Sequence, residues 1–118
     1  MRAGVAAFDT NVVVRLLVKD DEEQVRRAEQ AFRGAAEREG AWISTVVLVE
    51  VSWVLRGAYR FDRAAIATAL KRLTTLEGVV IENAPLISGA LEAYETGTAD
   101  FADYVILGSS RNAKRCRC

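Results

Sequence analysis

Isolated carboxylates in apolar stretches are the residues of this chain best suited to chemistry. Glu50 lies inside an apolar run that begins at Val46, and no basic residue lies within four positions on either side. Asp9 closes another apolar run and is followed by Thr10 and Asn11. An ionised carboxylate that leaves water needs a partner charge or a metal ion, since its unpaired transfer costs several kcal/mol. We therefore expect a divalent cation that is shared by these acids and others.

The absence of histidine narrows the metal chemistry. The chain has no histidine among its 118 residues. Histidine-based triads and HExxH zinc sites are therefore excluded, which leaves carboxylates as the expected metal ligands. Carboxylate oxygens suit hard cations such as Mg²⁺ and Mn²⁺.

Length and composition are those of one globular domain. The expected domain spans residues 1–118, with 51% hydrophobic residues and 16 basic against 16 acidic side chains. This zero net charge does not indicate a nucleic-acid binder by bulk electrostatics, although a local basic surface is compatible with it. No apolar stretch approaches the roughly 20 residues that would span a membrane. Cys116 and Cys118 are too close together to staple a fold, so a cytoplasmic location is expected.

Apolar periodicity predicts alternating short strands and amphipathic helices. Strands are expected at 5–8, 41–43 and 79–81, and helices at 11–18, 20–38, 45–57, 85–94 and 100–112. Asp62 can cap one further helix, which has Ile66, Leu70 and Leu73 spaced on one side. The first strand should be buried, and the second helix should bury an apolar face made of Val25, Ala28, Ala31, Phe32 and Ala35. One strand followed by two helices, repeated three times, favours an α/β fold with a parallel sheet flanked by helices.

This element order gives the acids a common location. Asp9 closes the first parallel strand, and the carboxyl edge of such a sheet is where open α/β folds place their sites. Glu50 is expected in the middle of the third helix and Asp103 in the first turn of the last one. The three positions could converge above the strand ends.

The same residues also allow purely structural interpretations. Asp9 could simply cap the following helix, and Asn11 could be only a helix-start residue. Glu50 could form a buried ion pair with Arg15 or Arg56. Asp100 and Asp103 have the spacing of a capping box, so either could serve only to cap the last helix. Trp53, Phe32 and Tyr104 are expected to pack in the core or in an interface.

Three segments of the chain, taken together in this order, resemble a known family. They are Asp9-Thr10-Asn11 after a short apolar strand, the segment 44–50 that ends in Glu50, and the segment 99–106 that contains Asp100 and Asp103. These segments are similar to the motifs of the PIN domain and, more narrowly, of the VapC-type toxins of bacterial toxin–antitoxin modules. Each motif is short, but the similarity runs from the N-terminus to about residue 113.

The resemblance implies a fold, an activity and a set of site residues. The implied fold is a three-layer α/β/α domain with a short, mainly parallel central sheet. The implied activity is metal-dependent endoribonuclease cleavage by an activated water, with Mg²⁺ or Mn²⁺ as cofactor. Asp9, Glu50 and Asp103 match the acids that bind the metal, and Asp100 could assist as a fourth ligand. Supporting roles fall to the polar residues that adjoin the acids, which are Thr10, Asn11, Ser44 and Thr45.

The resemblance also implies partners, and the sequence departs from the family pattern at one point. The implied partners are RNA, a cognate antitoxin protein and a second copy of the chain, with no membrane. Family members normally continue with another strand and an aspartate, whereas this sequence has no acid after Asp103. The alternative is therefore a catalytically impaired PIN-like module that binds antitoxin or RNA without turnover.

Two other families that begin with an acid after the first strand fit poorly. A haloacid-dehalogenase-like phosphatase needs a second aspartate two residues later, where this chain has Asn11. A receiver domain needs an aspartate after a middle strand, where this chain has Glu82 and Asn83.

Overall fold

The predicted alternation of strands and helices is confirmed. A computed structural model describes residues 6–19 and 21–116, with side chains described as far as residue 111. The elements in chain order are β1 (Ala6–Ala7), α1 (Thr10–Val18), α2 (Glu22–Arg38), β2 (Ala41–Ile43), α3 (Thr45–Gly57), α4 (Arg63–Thr74), β3 (Val79–Ile81), α5 (Ala84–Thr96) and α6 (Phe101–Cys116). Helices α5 and α6 run somewhat further than the sequence indicates.

Short polar side chains fix the starts of four helices. Each accepts a hydrogen bond from the backbone N–H three residues later, which satisfies a donor that the first turn leaves unpaired. The accepting residues are Asp9 (3.1 Å to the nitrogen), Asp21 (3.1 Å), Ser44 (3.1 Å) and Asp62 (2.8 Å). Helix α1 thus begins at Thr10, one residue before the predicted start. Asp20, which belongs to the acidic cluster expected to open α2, lies outside the described residues.

The three strands form one parallel sheet in the order β1-β2-β3. Strand β2 is central, and its Ala41 and Ile43 are fully buried. The expectation of a buried first strand over 5–8 is wrong for the described part, because β1 lies at the sheet edge with Ala6 half-buried and Ala7 exposed. Val5 lies outside the described residues. All three strands end at one edge of the sheet, next to Asp9, Ser44 and Glu82.

Helices bury the apolar faces that the sequence assigns to them, with one exception. In α2 the predicted residues Val25, Phe32 and Ala35 are buried together with Ala28, but Ala31 is exposed. The prediction for Ala31 is wrong because this residue lies at the margin of the apolar face, where α2 turns towards solvent. The face of α4 made of Ile66, Leu70 and Leu73 is buried as predicted.

The helices pack in the expected three-layer α/β/α arrangement. Helix α1 packs against α2 and α3, and α5 packs against α4 and α6. Helix α3 also contacts α4 and α6, so it touches the elements that carry every candidate acid. Within 6–19 and 21–116, no helix combines the length and the apolar character needed to cross a membrane.

Candidate active site

Helix α3 presents an exposed stripe to solvent. Val46, Glu50 and Trp53 are exposed and follow the i, i+4, i+7 spacing of one helical face, while Leu48, Val51 and Leu55 are buried on the other. The expectation that Glu50 is buried in apolar surroundings is therefore wrong. The apolar run wraps around a helix with only one buried face, so its central carboxylate reaches water.

The carboxylate of Glu50 is joined to helix α1. The Thr10 hydroxyl donates a hydrogen bond to Oε1 of Glu50, with 2.6 Å between the oxygens. Asp9 directly precedes Thr10, and its side chain caps α1 and is also exposed, so the premise of a buried Asp9 is wrong as well. Capping uses Oδ1 of Asp9, so the capping interpretation of this residue is confirmed as one of its roles.

Asp100 and Asp103 lie at the start of α6, on the other side of the stripe. The Asp100 carboxylate accepts a hydrogen bond from Trp53 Nε1 at 2.8 Å and another from Arg56 Nη1 at 2.9 Å. The backbone N–H of Asp100 in turn donates to Oδ2 of Asp103 at 3.2 Å. Asp103 thus makes the contact expected of a capping-box acid, and Arg56 is paired with Asp100 instead of Glu50.

The remaining supporting residues lie at the carboxyl edge of the sheet. The Ser44 hydroxyl is the cap of α3, and Thr45 N–H donates to Oε1 of Glu82 at 2.8 Å. Asn11 is exposed in the first turn of α1. The Glu82 carboxylate lies at the N-terminus of α3, where the helix dipole favours a negative charge. Glu82 is a neighbour of the site that was not predicted, although it follows β3 much as Ser44 follows β2.

A network of contacts holds the turn between α5 and α6 that presents Asp100. Arg63 Nη1 donates to the carbonyls of Tyr94 (2.9 Å) and Ala99 (2.8 Å), and its guanidinium lies 4.4 Å from the Tyr94 ring centroid. Ala99 N–H donates to the Tyr104 hydroxyl at 3.2 Å. Burial raises the pKa of the Tyr94 phenol above its usual value of 10.0, although the nearby Arg63 opposes that rise. The position of the turn is thus set by several independent contacts.

The donors around the stripe fit a hard divalent cation in their chemistry. All are carboxylate or hydroxyl oxygens, as Mg²⁺ and Mn²⁺ prefer. Across the described side chains, no three acidic or cysteine groups come together in an arrangement that could hold a metal ion by themselves. The acids are instead distributed as Asp9 and Glu50 on one side and Asp100 and Asp103 on the other. Magnesium is commonly bound through one or two carboxylates together with waters and substrate phosphates, which this distribution allows.

A sizeable groove in the described structure lies away from the stripe. Its volume is about 850 Å³, and it is lined by the C-terminal ends of α1 and α4 and by α2, with Leu16, Phe32 and Leu76 among its residues. None of the candidate acids lines it. The exposed stripe of α3 is therefore the better candidate for the chemistry, because the acids singled out from the sequence lie along it and not in the groove.

Comparison with known protein families supplies an independent assignment. The family model described as the PIN domain matches residues 6–114, which is most of the chain. Neither the comparison with curated proteins nor the comparison with solved structures gave a match. The PIN domain is a nuclease-type fold whose members generally use divalent metal ions. With the family match over residues 6–114 and the parallel three-stranded sheet flanked by helices in agreement, the chain belongs to the PIN domain family.

Proposed function

We propose that this chain is a Mg²⁺- or Mn²⁺-dependent endoribonuclease. Asp9, Glu50 and Asp103 are the proposed metal ligands, with Asp100 in an assisting role. The observation that carries the proposal is the hydrogen bond from Thr10 to Glu50, because it joins the acid-bearing end of β1 to the acid of α3 across 40 residues of sequence. In a nuclease-type fold, a carboxylate that is oriented in this way and is exposed to solvent supports a role in metal binding for RNA cleavage.

Each residue has a physical role in this proposal. A divalent cation, when bound, would lower the pKa of a water and offset charge on the phosphoryl oxygens. Thr10 orients Glu50 by donating to Oε1, which leaves Oε2 for a ligand. Asp9 holds its carboxylate against the start of α1, where capping limits its rotation. Ser44 and Thr45 support the start of the helix that carries Glu50, and Asn11 is an exposed amide beside Asp9.

The biological setting is part of the same proposal. The similarity of the segments 44–50 and 99–106 to VapC-type motifs supports a toxin role, with RNA as substrate, an antitoxin protein as inhibitor and a second copy of the chain as partner. The cysteine usage supports a cytoplasmic location.

One observation favours the alternative of a PIN-like module that binds RNA or antitoxin without turnover. Among the described side chains, no three acids form a ready metal site. Asp100, moreover, has its carboxylate bonded to Arg56, which offsets the charge that a cation would need. Cleavage assays separate the two functions.

The test is cleavage of structured RNA by the purified chain, with Mg²⁺ or Mn²⁺ compared with EDTA. We expect metal-dependent cleavage that falls to background in Asp9→Asn and in Glu50→Gln. Asparagine can still cap α1, and glutamine can still accept from Thr10, so both variants should fold. The thermal midpoint of each should stay close to that of the unchanged protein, since single surface substitutions typically change stability by less than about 0.5 kcal/mol.

Asp21→Asn is the matched control. Asp21 caps α2 with the same oxygen-to-nitrogen distance of 3.1 Å that Asp9 has at α1, but it follows the far end of α1. This variant should cut RNA at the normal rate. If a folded chain does not cut with either metal, the endoribonuclease proposal fails and the binding module takes its place.

A further inference from the structure

Trp53 is a large aromatic side chain that remains 52% exposed beside the candidate acids. We propose that Trp53 is a stacking platform for an unpaired base of the RNA substrate, and that Arg56 contacts the phosphate of the same nucleotide. This inference rests on the proposed function, since it names the part of the substrate that the site holds. Aromatic rings bind unpaired bases by stacking, and nearby cations add attraction for the backbone.

The platform is held in place before any ligand arrives. Trp53 Nε1 donates to Oδ2 of Asp100 at 2.8 Å, and Arg56 Nη1 donates to Oδ1 of the same carboxylate at 2.9 Å. The Asp100 side chain is only 26% exposed, while that of Arg56 is 60% exposed. One partly buried carboxylate thus orients an exposed ring and an exposed cation. Less rotamer freedom is then lost when a base binds.

The position of Trp53 relative to the acids matches one nucleotide. Glu50 and Trp53 are three residues apart on the exposed face of α3, so their Cβ atoms lie about 5–6 Å from each other. A base stacked on Trp53 would bring its own phosphate, or an adjacent one, to the carboxylates. Trp53 would therefore hold the nucleotide next to the bond that is cut.

The surroundings of Trp53 favour RNA over a protein partner. Protein–protein interfaces are enriched in Trp and Arg but depleted of Asp and Glu. Trp53 borders two acids, Glu50 one helical turn away and Asp100 in direct contact, in addition to Arg56. Proteins that bind single-stranded nucleic acids commonly combine an aromatic ring with a nearby cation.

The test measures binding of a labelled single-stranded RNA to the full chain in EDTA, where binding is separated from cleavage. We expect Trp53→Ala to weaken binding by about fivefold to 150-fold, the range seen for loss of one stacked base. Trp53→Phe removes the indole N–H that bonds to Asp100 but keeps an aromatic ring. Because the ring can still stack, this variant should lose much less RNA affinity than Trp53→Ala. Leu76→Ala is the control, because Leu76 is also half exposed but lies outside the acidic site.

A second set of ligands identifies the stacked base. Each RNA of this series carries one abasic position, at a different place. The unchanged protein should bind one member of the series more weakly than the others, and Trp53→Ala should bind all members with similar affinity. If Trp53→Phe binds as weakly as Trp53→Ala, Trp53 acts through Asp100 and the platform is overturned. Unchanged RNA affinity in Trp53→Ala with an altered sedimentation coefficient assigns Trp53 to a protein contact, which also overturns it.

The outcomes keep the platform separate from the nuclease proposal. Unchanged affinity in Trp53→Ala, together with normal cleavage by the unchanged protein, overturns the platform and leaves the nuclease intact. Trp53-dependent binding without any cleavage supports the platform and overturns the nuclease.

Discussion

At the scale of single residues, the contact between Thr10 and Glu50 is expected to affect function through the orientation of a metal ligand. The hydroxyl of Thr10 is 2.6 Å from Oε1 of Glu50 and restricts the rotation of that carboxylate. Groups that orient a metal ligand commonly contribute about 10–100-fold to metal affinity or activity. Thr10 is therefore a positioning residue whose loss should be visible in metal dependence.

Thr10→Val should raise the metal concentration needed for half-maximal cleavage by about 10–100-fold. Valine has nearly the same shape but cannot donate a hydrogen bond, so the fold should persist. Titration of Mg²⁺ and Mn²⁺ in an RNA cleavage assay measures the effect. Thr68→Val, at an exposed position of α4, should leave the titration unchanged. A Thr10→Val variant with the normal metal requirement would show that the hydroxyl has no part in ligand positioning.

The candidate residues of the site can be found from sequence more readily than their environment. Glu50 stands out because it interrupts an apolar run, but its carboxylate is exposed. An apolar run in the sequence covers all sides of a helix, so it does not tell which side faces the core. The contacts of Arg56 and Trp53 with Asp100 join positions 44 and 47 residues apart, and no local pattern encodes such contacts.

At the scale of elements, the turn between α5 and α6 depends on close packing at Gly97. The backbone of Gly97 has φ of −96°, a value that other residues also adopt. Backbone conformation therefore does not require glycine at this position. A Cβ at this position would lie 1.9 Å from the Tyr104 hydroxyl and 2.7 Å from the Ala93 carbonyl. Space, and not backbone freedom, is what the glycine supplies here.

Gly97→Ala should lower the free energy of unfolding by about 1–3 kcal/mol, the usual cost of overpacking. Gly89→Ala is the matched variant in the preceding helix. Gly89 lies inside α5, and a Cβ added there would meet no atom within 4 Å, so alanine should raise stability by about 0.5–1 kcal/mol. Urea unfolding of both variants measures the opposite signs. Equal effects of the two substitutions would contradict the packing argument.

Element boundaries are largely predictable because their signals are local. Asp9, Asp21, Ser44 and Asp62 mark helix starts by contacts that span three residues. The burial of β1 is not predictable in the same way. Whether a strand is central or at an edge depends on the order of strands in the sheet, which the apolar run before Asp9 does not contain.

At the scale of the whole molecule, global stability should depend on alkaline pH through Tyr94. This side chain is 2% exposed, and its burial raises the pKa of the phenol above 10.0. The pKa of Tyr94 is higher in the folded protein than in the unfolded chain. The contribution of the protonated phenol to folding stability is therefore fully present below about pH 10 and is lost as the pH rises through the folded pKa. Ionisation of the buried phenol therefore favours unfolding.

Tyr94→Phe should remove this part of the pH dependence. Phenylalanine cannot ionise, so the variant should lose less stability than the unchanged protein between about pH 8 and about pH 11. Urea midpoints at the two pH values measure the difference. Parallel pH profiles for Tyr94→Phe and the unchanged protein would contradict the assignment.

Helix α3 carries Glu50, Trp53 and Arg56 on one continuous backbone segment. The rise of about 1.5 Å per residue places the first two about 4.5 Å apart along the helix axis, whatever the neighbouring loops do. If these side chains hold the metal and the base, the cleavage register is set by the helix itself. The cut would then fall at a constant offset from one recognised nucleotide, and adding a single residue between positions 50 and 53 would rotate the base-holding ring by about 100° and destroy that register.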